Sequence, residues 1–214
     1  MMACPLLEDE MVYNLTTDPD KKRIFLLTNK NTVTLIPKLR TMNVEFTQIS
    51  EEDFFIEDAG VPREGFNVII WMMDLALHSE PEDLGSEIRR LMLMASGHAD
   101  GIALYYGLCG RGLEGIREWA TENLPIPMTL FTDGEGKLCD DCICVPFGST
   151  EKYLDLMKKY TGMLYLTPAV ACSWRECLGH NPLFKGLDQI DMTPRDYMKL
   201  LFDMAGYTHC LKIQ

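Results

Sequence analysis

Apolar segments of strand length alternate with segments of helical periodicity through most of the 214-residue chain. Short, continuous apolar runs are typical of strands buried on both faces of a parallel sheet, and the segments between them space their apolar residues as amphipathic helices do. The pattern predicts an α/β fold, with a mainly parallel sheet flanked by helices in a Rossmann-like three-layer sandwich. The predicted strands are Arg23–Thr28, Val44–Ile49, Asn67–Met72, Gly101–Tyr106, Met128–Thr132 and Met163–Leu166.

Helix-start residues precede several of the amphipathic segments. Pro81 stands in the first turn of one predicted helix, and Ser149 starts another with the spacing of a capping box. Thr193 and Pro194 open a terminal helix over 193–206, after an irregular Gly- and Pro-containing segment over 172–191. We expect one α/β domain over residues 1–214.

The charge balance excludes some classes of partner. The formal net charge is −12, so the phosphates of nucleic acids and of anionic membranes would be repelled. No apolar run reaches the roughly 18 residues that a membrane span needs. The first residues lack a positively charged leader before an apolar stretch, which predicts a cytoplasmic protein.

Eight cysteines change this picture of an ordinary globular chain. In a reducing cytoplasm they are not expected to pair as disulfides, which favours metal binding or redox chemistry. The alternative is that most of them are small, buried hydrophobic residues.

A glycine-rich loop follows the predicted strand Gly101–Tyr106. Gly110, Gly112 and Gly115 match the G-x-G-x-x-G pattern of dinucleotide sites, and Asp133 follows the next strand as such sites require of a ribose-binding acid. A nucleotide-binding enzyme is therefore one hypothesis. A purely structural tight turn is another.

The same loop also contains a cysteine. Cys109 lies three residues past Tyr106, at the carboxyl end of a strand, where ligands bind in open α/β sheets. Because a predicted helix begins soon afterwards, we expect a lowered pKa and a thiolate at Cys109. Of the roles considered for this loop, we favour the presentation of a thiolate over nucleotide binding.

In that interpretation the rest of the loop serves the sulfur. Gly107 and Gly110 would let the chain turn sharply beside a bulky ion. The backbone amides of Arg111 and Gly112 would donate hydrogen bonds to the negatively charged sulfur of Cys109.

Other metal-binding side chains are expected at the same edge of the sheet. Cys142 follows the next strand, Cys4 opens the chain, and His78 comes just after the strand Asn67–Met72. Thiolates with an imidazole suit tetrahedral zinc, whereas thiolates with an open position suit iron or an iron–sulfur cluster. We expect Cys109 and Cys142 to share the ion, which requires their sulfur atoms to lie within about 8 Å of each other. Cys139 completes a C-x-x-C with Cys142, and five residues are left open as ligands or packing residues: Cys139, Cys144, Cys172, Cys177 and His180.

Several segments together resemble the archaeal and bacterial family called domain of unknown function 1638. They are "ACPLLEDEMVYNL", "ALHSEPEDL", "LYYGLCGRGLEGI", and "DDCICVPFGSTEKYLDL" followed by "GMLYLTPA", so the resemblance covers roughly residues 1–169. It implies family thiols at Cys4, Cys109 and Cys142, with His78 in a Leu-His-x-x-Pro-Glu segment. Family members usually have a full strand before the Ala-Cys motif and a final strand region at the end, and this sequence predicts neither.

The resemblance also implies a metabolic setting. Family members are often companions of cobalamin-dependent methyltransferase systems in methanogens and related anaerobes. The leading hypothesis is therefore a cysteine-ligated zinc, iron or iron–sulfur protein in corrinoid-dependent one-carbon metabolism. A non-catalytic docking or assembly protein is the alternative. A corrinoid protein or a methyltransferase would be the partner in either case. Association of the chain with copies of itself in a homo-oligomer is a further alternative.

Overall fold

The computed structural model describes residues 1–57, 60–75, 77, 81–172 and 191–213. A six-stranded, wholly parallel sheet lies at its centre. Its strands are β1 (Met2–Ala3), β2 (Arg23–Thr28), β3 (Thr47–Ser50), β4 (Asn67–Met72), β5 (Ile102–Tyr105) and β6 (Met128–Leu130). They lie in the order β3-β2-β4-β1-β5-β6.

Helices cover both faces of this sheet, as the sequence predicts. They are α1 (Glu8–Thr17), α2 (Leu35–Thr41), α3 (Glu51–Glu57), α4 (Pro81–Ala95) and α5 (Ile116–Asn123). The connections through α1 and α2 run towards one edge of the sheet, and those through α3, α4 and α5 run towards the other. Right-handed crossovers therefore place the two groups on opposite faces. In agreement, α1 contacts α2, and α4 contacts α5. The predicted three-layer α/β sandwich is confirmed.

The very short strand β1 occupies the middle of the sheet. Met2 and Ala3 pair with β4 on one side and with β5 on the other. Both residues are buried, and the Cys4 amide extends the pairing by donating to the Tyr105 carbonyl at 3.0 Å. The sequence predicted no strand here because two residues carry no readable alternation.

The C-terminal part contains a second, smaller sheet. The helices of this part of the chain are α6 (Cys144–Phe147), α7 (Thr150–Lys159), α8 (Pro168–Cys172) and α9 (Pro194–Ala205). Strands β7 (Met163–Leu166) and β8 (His209–Lys212) pair with each other in parallel. The prediction that Met163–Leu166 belongs to the main sheet is wrong, and so is the expectation that no strand forms near the end of the chain.

Capping residues start the helices where the sequence predicted. The Ser149 side chain accepts a hydrogen bond from the Lys152 amide at the start of α7. Thr193 does the same for Asp196 at the start of α9. Of the predicted strands, β3 moves furthest, beginning at Thr47 rather than Val44. Most of the predicted irregular segment, residues 173–190, lies outside the described residues.

Among the described helices, none combines the length and the apolar character that crossing a membrane would require.

Candidate functional site

The carboxyl ends of β1 and β5 form a natural ligand-binding edge. The chain leaves β1 through α1 on one face of the sheet and leaves β5 through α5 on the other. Neighbouring parallel strands with connections on opposite faces open a crevice at their carboxyl ends, and ligands bind there in open α/β sheets. Cys4 follows β1 directly, and Cys109 follows β5.

A close backbone approach brings a second loop to this edge. A Cβ atom on Gly107 would lie 2.2 Å from the Asp141 carbonyl carbon, so only glycine fits at this position. Beside this contact, the Leu108 amide donates to the Cys139 carbonyl at 2.9 Å. The loop between β6 and α6 is thereby fastened to the loop after β5, which places Cys142 beside Cys109. This close approach is a structural requirement for glycine at position 107, while its predicted role in a turn beside an ion stays a prediction.

Three cysteines meet at this point, and we call Cys4, Cys109 and Cys142 the thiol cluster. The sulfur atoms of Cys109 and Cys142 lie 3.8 Å apart. The Cys4 thiol interacts with Cys142 by a side-chain hydrogen bond and lies near Cys109. Cys4 and Cys142 are only 1% and 2% exposed, whereas Cys109 is partly exposed and gives access to the cluster. The predicted proximity of the Cys109 and Cys142 sulfur atoms is confirmed, while their binding of a metal stays a prediction.

Cys109 itself has an unusual backbone conformation. Its φ is +49°, in the left-handed region that non-glycine residues seldom adopt. Such strained positions are concentrated at functional sites, where surrounding contacts hold them in place. Gly110 follows with φ of +67°, so two consecutive residues of this turn have left-handed backbone conformations.

Burial and hydrogen bonding raise the pKa values of the Cys4 and Cys109 thiols. The hydrogen bond to Cys142 is the main cause of the raised pKa of Cys109, followed by burial and by the nearby Asp141 and Asp140 carboxylates. Burial is the main cause of the raised pKa of Cys4. The expected lowering of the Cys109 pKa by a helix N-terminus is wrong, because α5 begins only at Ile116 after a series of turns.

Two buried oxygen atoms of polar side chains whose pKa values the cluster affects lack hydrogen-bond partners among the described residues. The Tyr106 hydroxyl is buried, and the thiols of Cys4, Cys142 and Cys109 contribute, after burial, to its raised pKa. The Oε2 atom of Glu10 is also buried without a partner. Burial raises the pKa of Glu10 to about 6, and Cys142 adds to the effect.

The sequence analysis did not select either of these residues. Tyr106 stands one position beyond Tyr105, at the end of the predicted strand and just after β5. Only Tyr105 finds a partner, since Asn14 donates to its hydroxyl at 3.0 Å. A polar-tipped aromatic residue immediately before the glycine loop was the available signal.

Two further cysteines, Cys139 in the loop between β6 and α6 and Cys144 at the start of α6, lie in a separate cluster. Cys139 and Cys144 hydrogen-bond each other, and burial is the main cause that raises the pKa of Cys139 to about 12. The Cys144 thiol also donates to the Thr150 hydroxyl at 3.6 Å. We call this group, packed with Tyr153 and Tyr165, the aromatic cluster. Of the two cysteines in the C-x-x-C motif, Cys139 therefore lies in the aromatic cluster and Cys142 in the thiol cluster.

Asp141 stands between the clusters and orders the loop. Its Oδ1 atom accepts hydrogen bonds from the amides of Ile143 and Cys144 at the start of α6, at 2.9 and 2.8 Å. Its Oδ2 atom accepts the Tyr153 hydroxyl at 2.5 Å. These bonds fix the direction of the chain on either side of Cys142.

The remaining predicted ligands are not brought to the thiol cluster by the described part of the chain. His78, Cys177 and His180 lie outside the described residues. Cys172, at the end of α8, is exposed, as is Cys210 in β8. Within the described ranges, no group of three or more His, Cys, Asp or Glu side chains is arranged to hold a metal ion.

Backbone groups of the glycine loop form hydrogen bonds with one another. The Gly112 amide donates to the Cys109 carbonyl at 3.3 Å rather than to its sulfur. Arg111 is exposed, and its carbonyl accepts the Glu114 amide at 3.2 Å. That the Arg111 amide stabilises the sulfur stays a prediction.

Asp133, the acid that a nucleotide site would need, has its carboxylate engaged within its own loop. Oδ1 accepts the amides of Glu135 and Lys137, and Oδ2 accepts the amide of Thr150. A ribose would have to replace these bonds. The contacts of Asp133 therefore give no support to the nucleotide hypothesis.

Comparison with protein families gives one match. The chain belongs to the family described as Protein of unknown function (DUF1638), whose model matches residues 72–214. This confirms the resemblance seen in the sequence, although the match begins at residue 72 and so includes Cys109, Cys142 and His78 but not Cys4. No curated protein and no solved structure matches the chain.

Proposed function

We propose that this member of the DUF1638 family holds a thiophilic metal, zinc or iron, at the thiol cluster and acts in corrinoid-dependent one-carbon methyl transfer. The observation that carries the metal site is the 3.8 Å separation of the Cys109 and Cys142 sulfur atoms. Two zinc–sulfur bonds of about 2.3 Å that meet at the tetrahedral angle separate their sulfur atoms by about 3.8 Å. The two thiols are thus spaced as neighbouring ligands of one ion.

At this distance the sulfur atoms of Cys109 and Cys142 are not joined as a disulfide, and both cysteines are free. A disulfide bond brings two sulfur atoms to about 2.0 Å. The two thiols come from loops that are 33 residues apart in the chain, and the Gly107–Asp141 contact holds those loops together. The protein therefore presents a preformed pair of soft ligands at the edge of the sheet.

The remaining ligands are proposed from the chemistry of their side chains. The Cys4 thiol already forms a hydrogen bond with Cys142, and its thiolate would complete a set of three soft ligands. His78 is the fourth candidate. Because the described residues do not yet form a three-ligand group, metal binding requires Cys4 to move closer or His78 to join the pair.

The surroundings of the cluster favour a cation. The carboxylates of Asp140 and Asp141 lie near enough to raise the pKa of Cys109, and Asp74 similarly affects Tyr106. This negative potential opposes thiolates alone but attracts a metal ion, and a metal-bound thiol is deprotonated. The metal-free and metal-bound states of the cluster thus differ in thiol ionisation.

Zinc with an open position would supply activation of a substrate thiol as its thiolate, whereas an iron–sulfur centre would supply electron transfer. The chain's own residues define access to that chemistry. Cys4 and Cys142 are buried and exclude water, and a substrate would approach along the partly exposed Cys109. The family resemblance supports a corrinoid protein or a methyltransferase as the partner, in the cytoplasm, where thiols stay reduced.

Elemental analysis and a visible spectrum of anaerobically purified protein test the metal site. We expect close to one equivalent of zinc, or the absorption of an iron–sulfur cluster. Cys109→Ser should lose most of the metal, whereas the matched control Cys210→Ser, at an exposed cysteine, should keep it. Folded wild-type protein that neither contains metal nor binds added zinc or iron would overturn the proposal.

A further inference from the structure

Two free thiols of the thiol cluster lie side by side although they are distant in the chain. The sulfur atoms of Cys109 and Cys142 are 3.8 Å apart, and 33 positions of sequence separate the two residues. A disulfide bond has a length of about 2.0 Å, so the sulfur atoms need to approach by only about 1.8 Å to bond. The fold thus already provides the loop closure whose entropy opposes a bond between distant residues.

The two thiols differ in their access to solvent. Cys142 is only 2% exposed, whereas Cys109 is partly exposed. A small disulfide in solution therefore reaches the pair through the sulfur of Cys109. An accessible cysteine next to a second cysteine that resolves the mixed disulfide is an arrangement found in redox-sensing proteins.

We infer that Cys109 and Cys142 form a reversible dithiol–disulfide couple that exchanges with a low-molecular-weight disulfide such as oxidised glutathione. The Cys109 sulfur first attacks one sulfur of the small disulfide, which forms a mixed disulfide and releases one small thiol. The Cys142 sulfur then attacks the Cys109 sulfur and releases the second small thiol. The two cysteines give up two electrons and two protons, and the two small thiols take them up.

The position of this equilibrium depends on how closely the fold holds the two thiols, because proximity raises the effective concentration of one thiol at the other. The contact between Gly107 and the Asp141 backbone holds the two loops together. The rate is a separate matter. Burial and the neighbouring thiol raise the pKa of Cys109, so little thiolate is present and we expect slow exchange.

The couple makes the edge of the sheet sensitive to redox conditions. Disulfides in reducing compartments are mostly transient and serve catalysis or redox sensing. The ratio of small disulfide to small thiol would decide whether Cys109 and Cys142 are present as free thiols. The couple itself requires no metal. The loss of two metal ligands on oxidation is a further consequence, and only this consequence rests on the proposed function.

The test equilibrates the folded chain anaerobically with a glutathione redox buffer that contains a chelator, and then alkylates the remaining thiols. Trypsin cuts after Arg111 and Lys137, which places Cys109 and Cys142 on different peptides. We expect the main disulfide product to link these two peptides, with the loss of two free thiols that dithiothreitol restores. Cys142→Ser should abolish the linked product. The matched control Cys144→Ser, on the same tryptic peptide, should retain it.

Oxidation in urea provides a control for the role of the fold. Short loops close most readily in an unfolded chain, so bonds among Cys139, Cys142 and Cys144 should replace the link to Cys109. In the folded protein, the disulfide should also raise the urea midpoint of unfolding. A bond that fits the folded chain constrains mainly the unfolded one.

Three results would overturn the inference. In the first, Cys109 and Cys142 stay reduced at equilibrium although the exposed Cys210 has formed a mixed disulfide with glutathione. In the second, the link persists in Cys142→Ser or joins Cys142 to Cys4 instead. In the third, the oxidised protein unfolds at lower urea than the reduced protein. A Cys109–Cys142 disulfide in protein that binds no zinc or iron would support the couple while the proposed function fails.

Discussion

The thiol cluster and the aromatic cluster take cysteines from the same short loop, yet they differ in their surroundings. Cys142 meets thiols from the carboxyl ends of two sheet strands. Cys139 and Cys144 instead pack among aromatic rings, and Cys144 bonds Thr150. The comparison teaches that cysteine spacing does not decide a cysteine's role. Its position relative to the edge of the sheet does.

Gly107→Ala is the change expected to have the largest effect. The added Cβ atom would lie 2.2 Å from the Asp141 carbonyl carbon, so the two loops must separate. We expect a loss of about 3 kcal/mol in the free energy of unfolding together with loss of metal binding, because Cys109 and Cys142 would no longer adjoin. Urea denaturation and metal analysis measure the two effects.

Gly134→Ala is the control for this change. Gly134 lies in the loop after β6, where a Cβ atom would meet nothing closer than the Gly148 carbonyl oxygen at 4.0 Å. Its effect on stability should stay within about 0.5 kcal/mol. Equal effects of the two substitutions would show that the Gly107–Asp141 contact does not hold the loops together.

Serine substitutions compare the two clusters directly. Cys142→Ser should weaken zinc binding by more than about 100-fold, since losing a ligand costs more than losing a partner of a ligand. Cys144→Ser should retain zinc affinity and lose about 1 kcal/mol of stability, because it places a more polar group at a fully buried position. Chelator competition and denaturation measure both. If Cys144→Ser lost as much zinc as Cys142→Ser, the division into two clusters would be wrong.

Asp133→Asn is expected to change stability in a way that depends on pH. The amides of Thr150, Lys137 and Glu135 lower the pKa of Asp133 to about 2. A lowered pKa means that the ionised carboxylate stabilises the fold above its unfolded-state pKa of about 4. That contribution is lost as the pH falls through about 2. The stability difference between wild type and Asp133→Asn should therefore shrink between about pH 4 and pH 2.

Zinc affinity is the second readout for Asp133. The Asp133 loop borders the aromatic cluster through Thr150, so Asp133→Asn should leave zinc binding unchanged. A stability difference that does not change with pH would refute the role given to the carboxylate. Reduced zinc affinity would refute the separation of this loop from the thiol cluster.

Local patterns predicted the main sheet because each buried strand has its own apolar run. Strands β2 and β4 begin and end at the predicted residues. The two-residue β1 and the exposed β8 were missed, since the first is too short and the second too polar for a periodicity to be read. Strand β7 was found but assigned to the wrong sheet, because its partner is distant in the chain.

The candidate site divides in the same way. Cysteines at strand ends predicted the meeting of Cys109 with Cys142, because parallel strands present their carboxyl ends at one edge. The lowered pKa of Cys109 was wrong, since burial and the neighbouring thiol decide it rather than a helix end. Nothing in the sequence indicated that the Tyr106 hydroxyl would be left without a partner, because the available partners depend on packing.

The sequence by itself determined the alternation of strands and helices, the helix starts at Ser149 and Thr193, and the position of Cys109 beyond a strand. These features follow from the order of residues along short segments, where periodicity and capping act locally. Tertiary structure alone decided which cysteines meet. Cys142 and Cys139 are two positions of one motif, but the close approach of Gly107 to the Asp141 backbone directs one thiol to the edge of the sheet and leaves the other among aromatic rings. That contact joins distant loops, and no local pattern encodes it.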